Sequence, residues 1–450
     1  MEALHLEGNR FVNASGRQVL LHGLNVLNRT RPHLYPGLEK AFGWFRDSGF
    51  NLIRLGIFWD AAEPEPGLLD QAYLAKIKEL VQAAENYGIY VILDMHQDLF
   101  AQKFIDGAPD WACLDEGAYH PDNCTMWYEA YLSSEAIIKA ADHFWANTPA
   151  SDGIGLLDHY AAMWTEIARV FDDCPNVIGL EPMNEPFMGS LARNSFGAAT
   201  MQMMSKDPSF DLSKPETIKP EVQAEFMDLV GKAFLDWDHT VLMDFYRRIQ
   251  AAVRKVSDKP LVTGGNIYCS TDIPTGLERL ADGLQIYAPH GYDSVVDSDQ
   301  YDAYNKENVA RLYARKRVDA DRLGLPTIVG EWGAFPSRAF TNDLIQFMNG
   351  ILEENLWGDA YCEYHAGMEE DPNFTALRKA YPAEISGQLL SYHFDETAST
   401  LELTYDAKPG ESKVYLPFIP VDSCNIEKLS DSSCYVLLPS AEGRVSVTIR

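Results

Sequence analysis

The run "NVIGLEPMNEP", residues 176–186, opens as an apolar strand suited to burial on both faces. It ends in two acids, an asparagine and two prolines. Two readings fit such an ending. One is a plain turn; the other is a carboxyl, Glu185, held at the mouth of a barrel to handle a proton. The same pattern recurs along the chain. Apolar β-rich runs fall at 18–25, 51–59, 89–96, 176–184, 260–266, 284–290, 326–333 and 359–365. Between them lie stretches such as 72–88, 155–171, 241–256, 308–324 and 343–358, whose apolar residues recur at three- and four-residue spacing, as in helices packed on a sheet. Strands apolar on both faces and alternating with helices predict a parallel (β/α)8 TIM barrel, an α/β fold. A doubly wound sheet is the alternative, but no glycine-rich phosphate loop follows the first strand.

Polar residues collect at the C-terminal ends of these runs: Asn25, Arg54, His96, Asn184, Glu185, His290 and Glu331. That end of a barrel carries the active site. From about residue 385 the pattern becomes period-two with Gly, Pro, Asp and Ser turns, which predicts a small C-terminal β-sandwich. The expected division is a catalytic barrel over 1–384 and a sandwich over 385–450.

The chain has 450 residues, 46% of them hydrophobic, and carries 37 basic against 66 acidic residues for a net charge of −29. Such a charge argues against nucleic acid or an anionic membrane as partner. No run of 18 apolar residues appears, so no stable membrane insertion is expected. The opening residues have neither a basic nor an apolar leader region, so cytoplasmic residence is expected of the chain as it stands, and secretion if an export signal precedes it. Seven cysteines form no dense framework; the pairs Cys113/Cys124 and Cys424/Cys434 are the bridging candidates, with reduced thiols expected in a reducing compartment. No CxxC or HExxH spacing occurs, so neither a metal nor another cofactor is expected. A monomer is expected.

Glycoside hydrolysis needs two carboxyls, one to protonate the leaving oxygen and one to attack or to activate water. Glu185 and Glu331 end the fourth and seventh strands and fit those roles. The segments 97–153 and 187–239 are too long for plain connections. The second holds Met188, Met201, Met203, Met204 and Met227. Methionine suits adaptable apolar surfaces, so an apolar wall beside Glu185 is the expectation, with local helical packing as the alternative.

"MNEP" and "GEWG", with "IRLG", "DMHQD" and "HGY" in order on their strands, resemble the motifs of the retaining cellulase-type glycoside hydrolases, family 5 of clan A. The resemblance implies Glu185 as acid/base and Glu331 as nucleophile. It implies that Arg54 and Tyr292 position Glu331, that Asn184 meets the sugar 2-hydroxyl, and that His96 and His290 contact sugar or orient carboxylates. "GLNVLNRTRPHLYPG", "LDMHQDLFAQKFIDGAPDWA" and the terminal sandwich are similar to endoglycoceramidases and their glycosylceramidase relatives. This implies a retaining enzyme that cuts glycan from ceramide, with another amphipathic β-glycoside as the alternative substrate and an inactive sugar-binding barrel as the alternative of another class. On the same resemblance Asp98 and Arg29 contact sugar, Arg29 standing where these enzymes often carry Lys. Trp111 joins the substrate-binding candidates, with core packing as its alternative. The eighth run, "DAYCEYHAG", lacks the tryptophan such enzymes stack against sugar, so a sugar preference other than glucose-first is expected.

Overall fold

The computed structural model describes residues 1–124, 126–211, 220–298, 300–420 and 425–450. Nine parallel segments form one sheet: His22–Val26, Leu52–Ile57, Tyr90–Met95, Val177–Glu181, Leu261–Thr263, Gln285–Tyr287, His290–Gly291, Ile328–Gly333 and Gly358–Cys362. Gln285–Tyr287 and His290–Gly291 are two halves of the sixth strand. The first half bridges to Thr327 and the second pairs His290 with Glu331. The last strand pairs back onto the first through Asp359 and His22, so the sheet closes into the expected (β/α)8 barrel. Strands one to three are buried along their whole length, which is why their largely apolar residues show no alternation in the sequence. Gly23 lets the first two strands approach, since a Cβ there would lie 2.3 Å from the Leu52 carbonyl oxygen.

The helices begin where their caps place them. Asp70 accepts hydrogen bonds from the amides of Ala72 and Tyr73 to open Gln71–Glu85, and Asn305 does the same for Lys306–Leu323, satisfying amides that have no partner inside the helix. Gly324, at φ 57°, ends the latter, a conformation glycine adopts without penalty.

The run 18–25, expected as one strand, is two. Gln18–Val19 pairs with Glu384 and Ile385 in an antiparallel sheet, and the barrel strand starts at His22. The cause is a division of adjacent leucines. Leu20 packs into the core of the C-terminal sheets, Leu21 into the base of the barrel. The larger of those sheets has seven strands and takes in Leu4–Glu7 and Arg10–Asn13 from the start of the chain, with Tyr381–Ile385 at its middle. It therefore crosses the expected 384/385 division. The other sheet is the three strands Gly387–Asp395, Thr400–Ala407 and Gly443–Ile449, and residues of both share one core. The hydroxyls of Tyr381 and Tyr415 donate to the carbonyls of Gly49 and Asp47, 2.8 and 3.0 Å away, tying this unit to the barrel. Cys113 and Cys124 are unbridged; Cys424 lies outside the described residues. No described helix is long and apolar enough to cross a membrane.

Candidate active site

Arg54 organises the mouth of the barrel. It sits on the second strand with no exposed surface and uses its whole fork. Nε and Nη2 donate to the two oxygens of Glu181 at 2.7 and 2.9 Å. Nη1 donates to Glu331 Oε1 at 2.6 Å and to Asn25 Oδ1 at 2.9 Å. Nη2 also reaches Asn184 Oδ1 at 2.9 Å and lies 3.1 Å from Asp94. A buried guanidinium needs such partners. Glu181, which reads as a plain strand-end charge, is its bidentate counter-ion.

Glu331 Oε2 accepts from the Tyr292 hydroxyl at 2.9 Å, and His290 Nδ1 stands 3.6 Å from the same oxygen. Burial works to raise the Glu331 pKa, but His290, Arg54 and His96, together with the Tyr292 hydrogen bond, outweigh it and bring the carboxyl down to about 2. Glu185 is the opposite case. Burial, reinforced by the charges of Glu331 and Asp98, lifts its pKa against the pull of His290, whose Nδ1 lies 3.0 Å from Glu185 Oε1. Two carboxyls at one site are thus driven apart, one toward the proton and one away from it.

The turn after strand four explains the proline-bounded acid. Glu185 adopts φ 39°, an uncommon conformation for a residue with a side chain. Gln97 pins it: Nε2 donates to the carbonyls of Asn184 and Glu185 at 2.8 and 3.0 Å. Asn184 is held between Arg54 and the carbonyl of Gln97, to which its Nδ2 donates at 3.2 Å.

A second polar group lies beside this one. His96 Nδ1 is 2.8 Å from Asp94 and Nε2 is 3.5 Å from Asp98. Burial opposes the charge on His96, but Asp94 and Asp98 raise its pKa well above the ordinary value. Arg29 Nε donates to Asp98 at 3.3 Å and lies 3.5 Å from Asp106, while Nη1 bridges both oxygens of Glu363 at 3.2 and 3.0 Å. Asp106 is fully buried and accepts the Asp98 amide at 2.6 Å; burial takes its pKa up to about 7. Ligand-type atoms gather within 4.8 Å in two triads, Glu185–His290–Glu331 and His96–Asp98–Asp106. Each also contacts a guanidinium, Arg54 or Arg29.

Glu185, Glu331, Arg29, His96, Asp98 and Tyr292 line one cleft of about 980 Å³. Arg54, Asn184 and His290 stand behind or beside them as partners. The cleft has a polar end at Arg29, Asp98 and Glu363, and an apolar side at Trp127, Tyr131, Leu132, Val296 and Phe335. Trp111 is elsewhere. It lines a separate cavity of about 630 Å³, with Nε1 donating to the Glu63 carbonyl at 3.0 Å and its ring edge-on to Trp59 and His159. The methionine-rich wall expected from 187–239 is also corrected. None of Phe187, Met188, Phe196, Met203, Met204 and Phe226 lines the cleft. Met201 and Met204 face solvent at 69% and 46% exposure, whereas Met188 and Met203 are packed inside. The segment works from behind: Phe234 stacks on Tyr268 at 4.9 Å with Phe196 at 5.3 Å, and Tyr268 lines the cleft.

Sequence reasoning passed over Gln97, Asp106 and Glu363. Asp106 lies in an irregular stretch where only the spacing D-x7-D from Asp98 marks it, and Glu363 falls inside the expected run 359–365 but directly follows the observed strand Gly358–Cys362.

Residues 12–356 match the model of the cellulase family, glycosyl hydrolase family 5. An endoglycoceramidase of Hydra vulgaris is 30% identical over 91% of this chain and 79% of its own length. Endoglycoceramidase I of Rhodococcus hoagii (strain 103S) is 32% identical over 86% and 73%. Among solved structures, endo-glycoceramidase II from Rhodococcus sp. superposes with a TM-score of 0.77 at 23% identity, covering 97% of this chain and 98% of that one.

Proposed function

The chain belongs to glycosyl hydrolase family 5, and on that premise we propose that it releases the glycan of glycosphingolipids from ceramide by a retaining double displacement. The observation that carries the reading is the carboxyl pair. One carboxylate oxygen of Glu185 and one of Glu331 lie within 4.8 Å of each other, nearer the retaining separation of about 5–5.5 Å than the ~6.5–9.5 Å that leaves room for water in inverting enzymes.

In the first step the Glu331 carboxylate bonds to the anomeric carbon as Glu185 gives its proton to the glycosidic oxygen. The C–O bond breaks and ceramide leaves as a neutral alcohol. In the second, Glu185, now ionised, takes a proton from water as that water attacks the anomeric carbon. The ester to Glu331 breaks and the glycan leaves as its β-anomer. Tyr292 and Arg54 hold one oxygen each of the nucleophile, so the carboxylate stays oriented toward the sugar. His290 keeps the acid in place between steps. The polar end of the cleft suits sugar hydroxyls, and its apolar side suits the chains of a lipid. The endoglycoceramidase relatives supply the choice of ceramide over other aglycones.

The test is product analysis on glycosphingolipids beside steryl and aryl β-glucosides. Intact oligosaccharide plus ceramide is the expected result. Release of single sugars from the non-reducing end, or cleavage of the other glycosides alone, overturns it.

A further inference from the structure

The second cavity, which holds Trp111, has no part in the chemistry above, yet it is built from the same two loops as the catalytic cleft. In the first loop Arg29 faces the cleft, whereas Arg31, Pro32 and His33 face the cavity. In the second, Asp98 and Ile105 face the cleft, whereas Pro109, Asp110 and Trp111 face the cavity. Asp60, on the short helix Trp59–Ala62, joins the two loops: its amide donates to the Gly107 carbonyl at 3.0 Å and its carboxylate takes Arg31 Nε at 2.6 Å. The floor is close to the sugar-facing histidine: His33 stacks on Phe58 at 4.1 Å, and Phe58 meets His96 edge-on at 5.8 Å.

The cavity is preorganised. Asp60, 1% exposed at its side chain, is held by Arg31 Nε at 2.6 Å and lies 3.2 Å from His33 Nε2. That fixes Arg31, half exposed, along the wall. Trp111 presents an indole whose own N–H is already satisfied, leaving its ring as apolar surface. The charges are mixed: Asp60, Glu65, Asp70 and Asp110 face Arg31 and Lys76. An anionic ligand meets more acids than bases there, and a lipid chain meets too many charges. A flat apolar ring ringed by fixed hydrogen-bonding groups matches a neutral saccharide, whose sugar faces are apolar and whose edges carry hydroxyls.

We infer that the second cavity binds neutral sugars of the glycan that lie beyond the bond being cut, so that longer glycans gain affinity across the shared Arg29–Leu34 and Asp98–Trp111 loops. The inference rests on the proposed function for the substrate but makes a separate claim about glycan length.

Ala72 lines the cavity from the exposed start of its helix, so Ala72→Trp fills the space without disturbing the core. Arg31→Ala removes the ordered wall. The experiment compares kcat/KM of both variants and the parent on neutral glycosphingolipids of two to five sugars and on an aryl β-lactoside. The parent is expected to favour the longest glycan, and both variants to lose about tenfold on it, through KM, with the aryl lactoside unchanged in Ala72→Trp. Equal effects on short and long glycans, or no length preference in the parent, overturn the inference. Binding of the free neutral pentasaccharide, read by saturation-transfer NMR, needs no cleavage. Signal from the parent that is lost in Ala72→Trp supports the cavity even if ceramide proves to be the wrong aglycone; undiminished signal in that variant overturns it.

Discussion

Replacing Tyr292 by Phe removes one atom from the site, the hydroxyl that donates to Glu331 Oε2 at 2.9 Å. A hydrogen bond to a charged acceptor contributes about 1.5–3 kcal/mol, and a pKa unit corresponds to about 1.36 kcal/mol. Losing the bond therefore raises the Glu331 pKa, now about 2, by about one to two units. Glu331 must be ionised to attack, so the acid limb of kcat/KM on an aryl β-glycoside moves toward neutral pH by the same amount. Because Glu331, His290 and Glu185 interact, the limb reports the cluster as a whole. At neutral pH Glu331 remains ionised in the variant, and the remaining loss is of alignment: one oxygen keeps Arg54 while the other turns freely, which lowers kcat about tenfold or more. The assay is a pH–rate profile from about pH 1.5 to 8, which brackets the parent limb, with circular dichroism at each pH to separate titration from unfolding. An acid limb that stays where the parent has it refutes the account of how Glu331 is kept charged.

Glu185→Gln and Glu331→Gln should each cut turnover by orders of magnitude with the fold intact. Azide and an activated aryl leaving group should partly rescue the first, and early NMR of the parent reaction should show the β-anomer. Phe335→Ser, on the apolar side of the cleft, should weaken kcat/KM for ceramide substrates by the ~1.5–3 kcal/mol of one buried apolar side chain and spare a soluble aryl glycoside; equal losses on both would place the lipid elsewhere. Arg29→Lys keeps the charge but not the fork that spans Asp98 and Glu363, so it should change the rate ratio between galactose-first and glucose-first glycolipids. Asp359 is buried against His22 at 3.0 Å, the Trp332 indole at 3.1 Å and Lys379 at 3.6 Å. Burial works to raise its pKa, but His22 and Lys379 hold it below the ordinary value. It therefore stabilises the fold above the unfolded-state pKa of about 3.9, and this is lost as pH falls through the depressed value. Asp359→Ala should cost about 3–5 kcal/mol by denaturant titration near pH 7, and the cost should shrink in acid.

The residues that end apolar strands were legible in the sequence. Glu185, Glu331, Arg54, His96 and His290 stand in or beside runs that are otherwise largely apolar, and a charge there needs a reason. Glu181 occupies the same kind of position, yet its role appeared only with the structure, because its partner Arg54 is 127 positions away. Asp106 lies in irregular backbone, where no period separates a buried acid from a solvated one, and Glu363 sits just past the eighth strand, half-exposed beside Arg29. Trp111 was named a substrate-binding candidate with core packing as the alternative, and the structure places it in the second cavity, because the Asp98–Trp111 loop faces both cavities. The methionines between 187 and 239 failed for a related reason: composition identifies an adaptable apolar helix pair but not which side of the barrel wall it covers.

The division of Leu20 from Leu21 reaches beyond packing. Strands at 4–19 finish their sheet only by pairing with Glu384 and Ile385, so during synthesis that segment waits for a partner made more than three hundred residues later. A fragment cut at 384 would strand those early strands beside an open edge, deprived of Gly410–Leu416 and its neighbours, and such edges invite pairing with other chains. Barrel and sandwich should accordingly melt in a single calorimetric transition, and a fusion or permutation that delays the late segment should raise aggregation during synthesis.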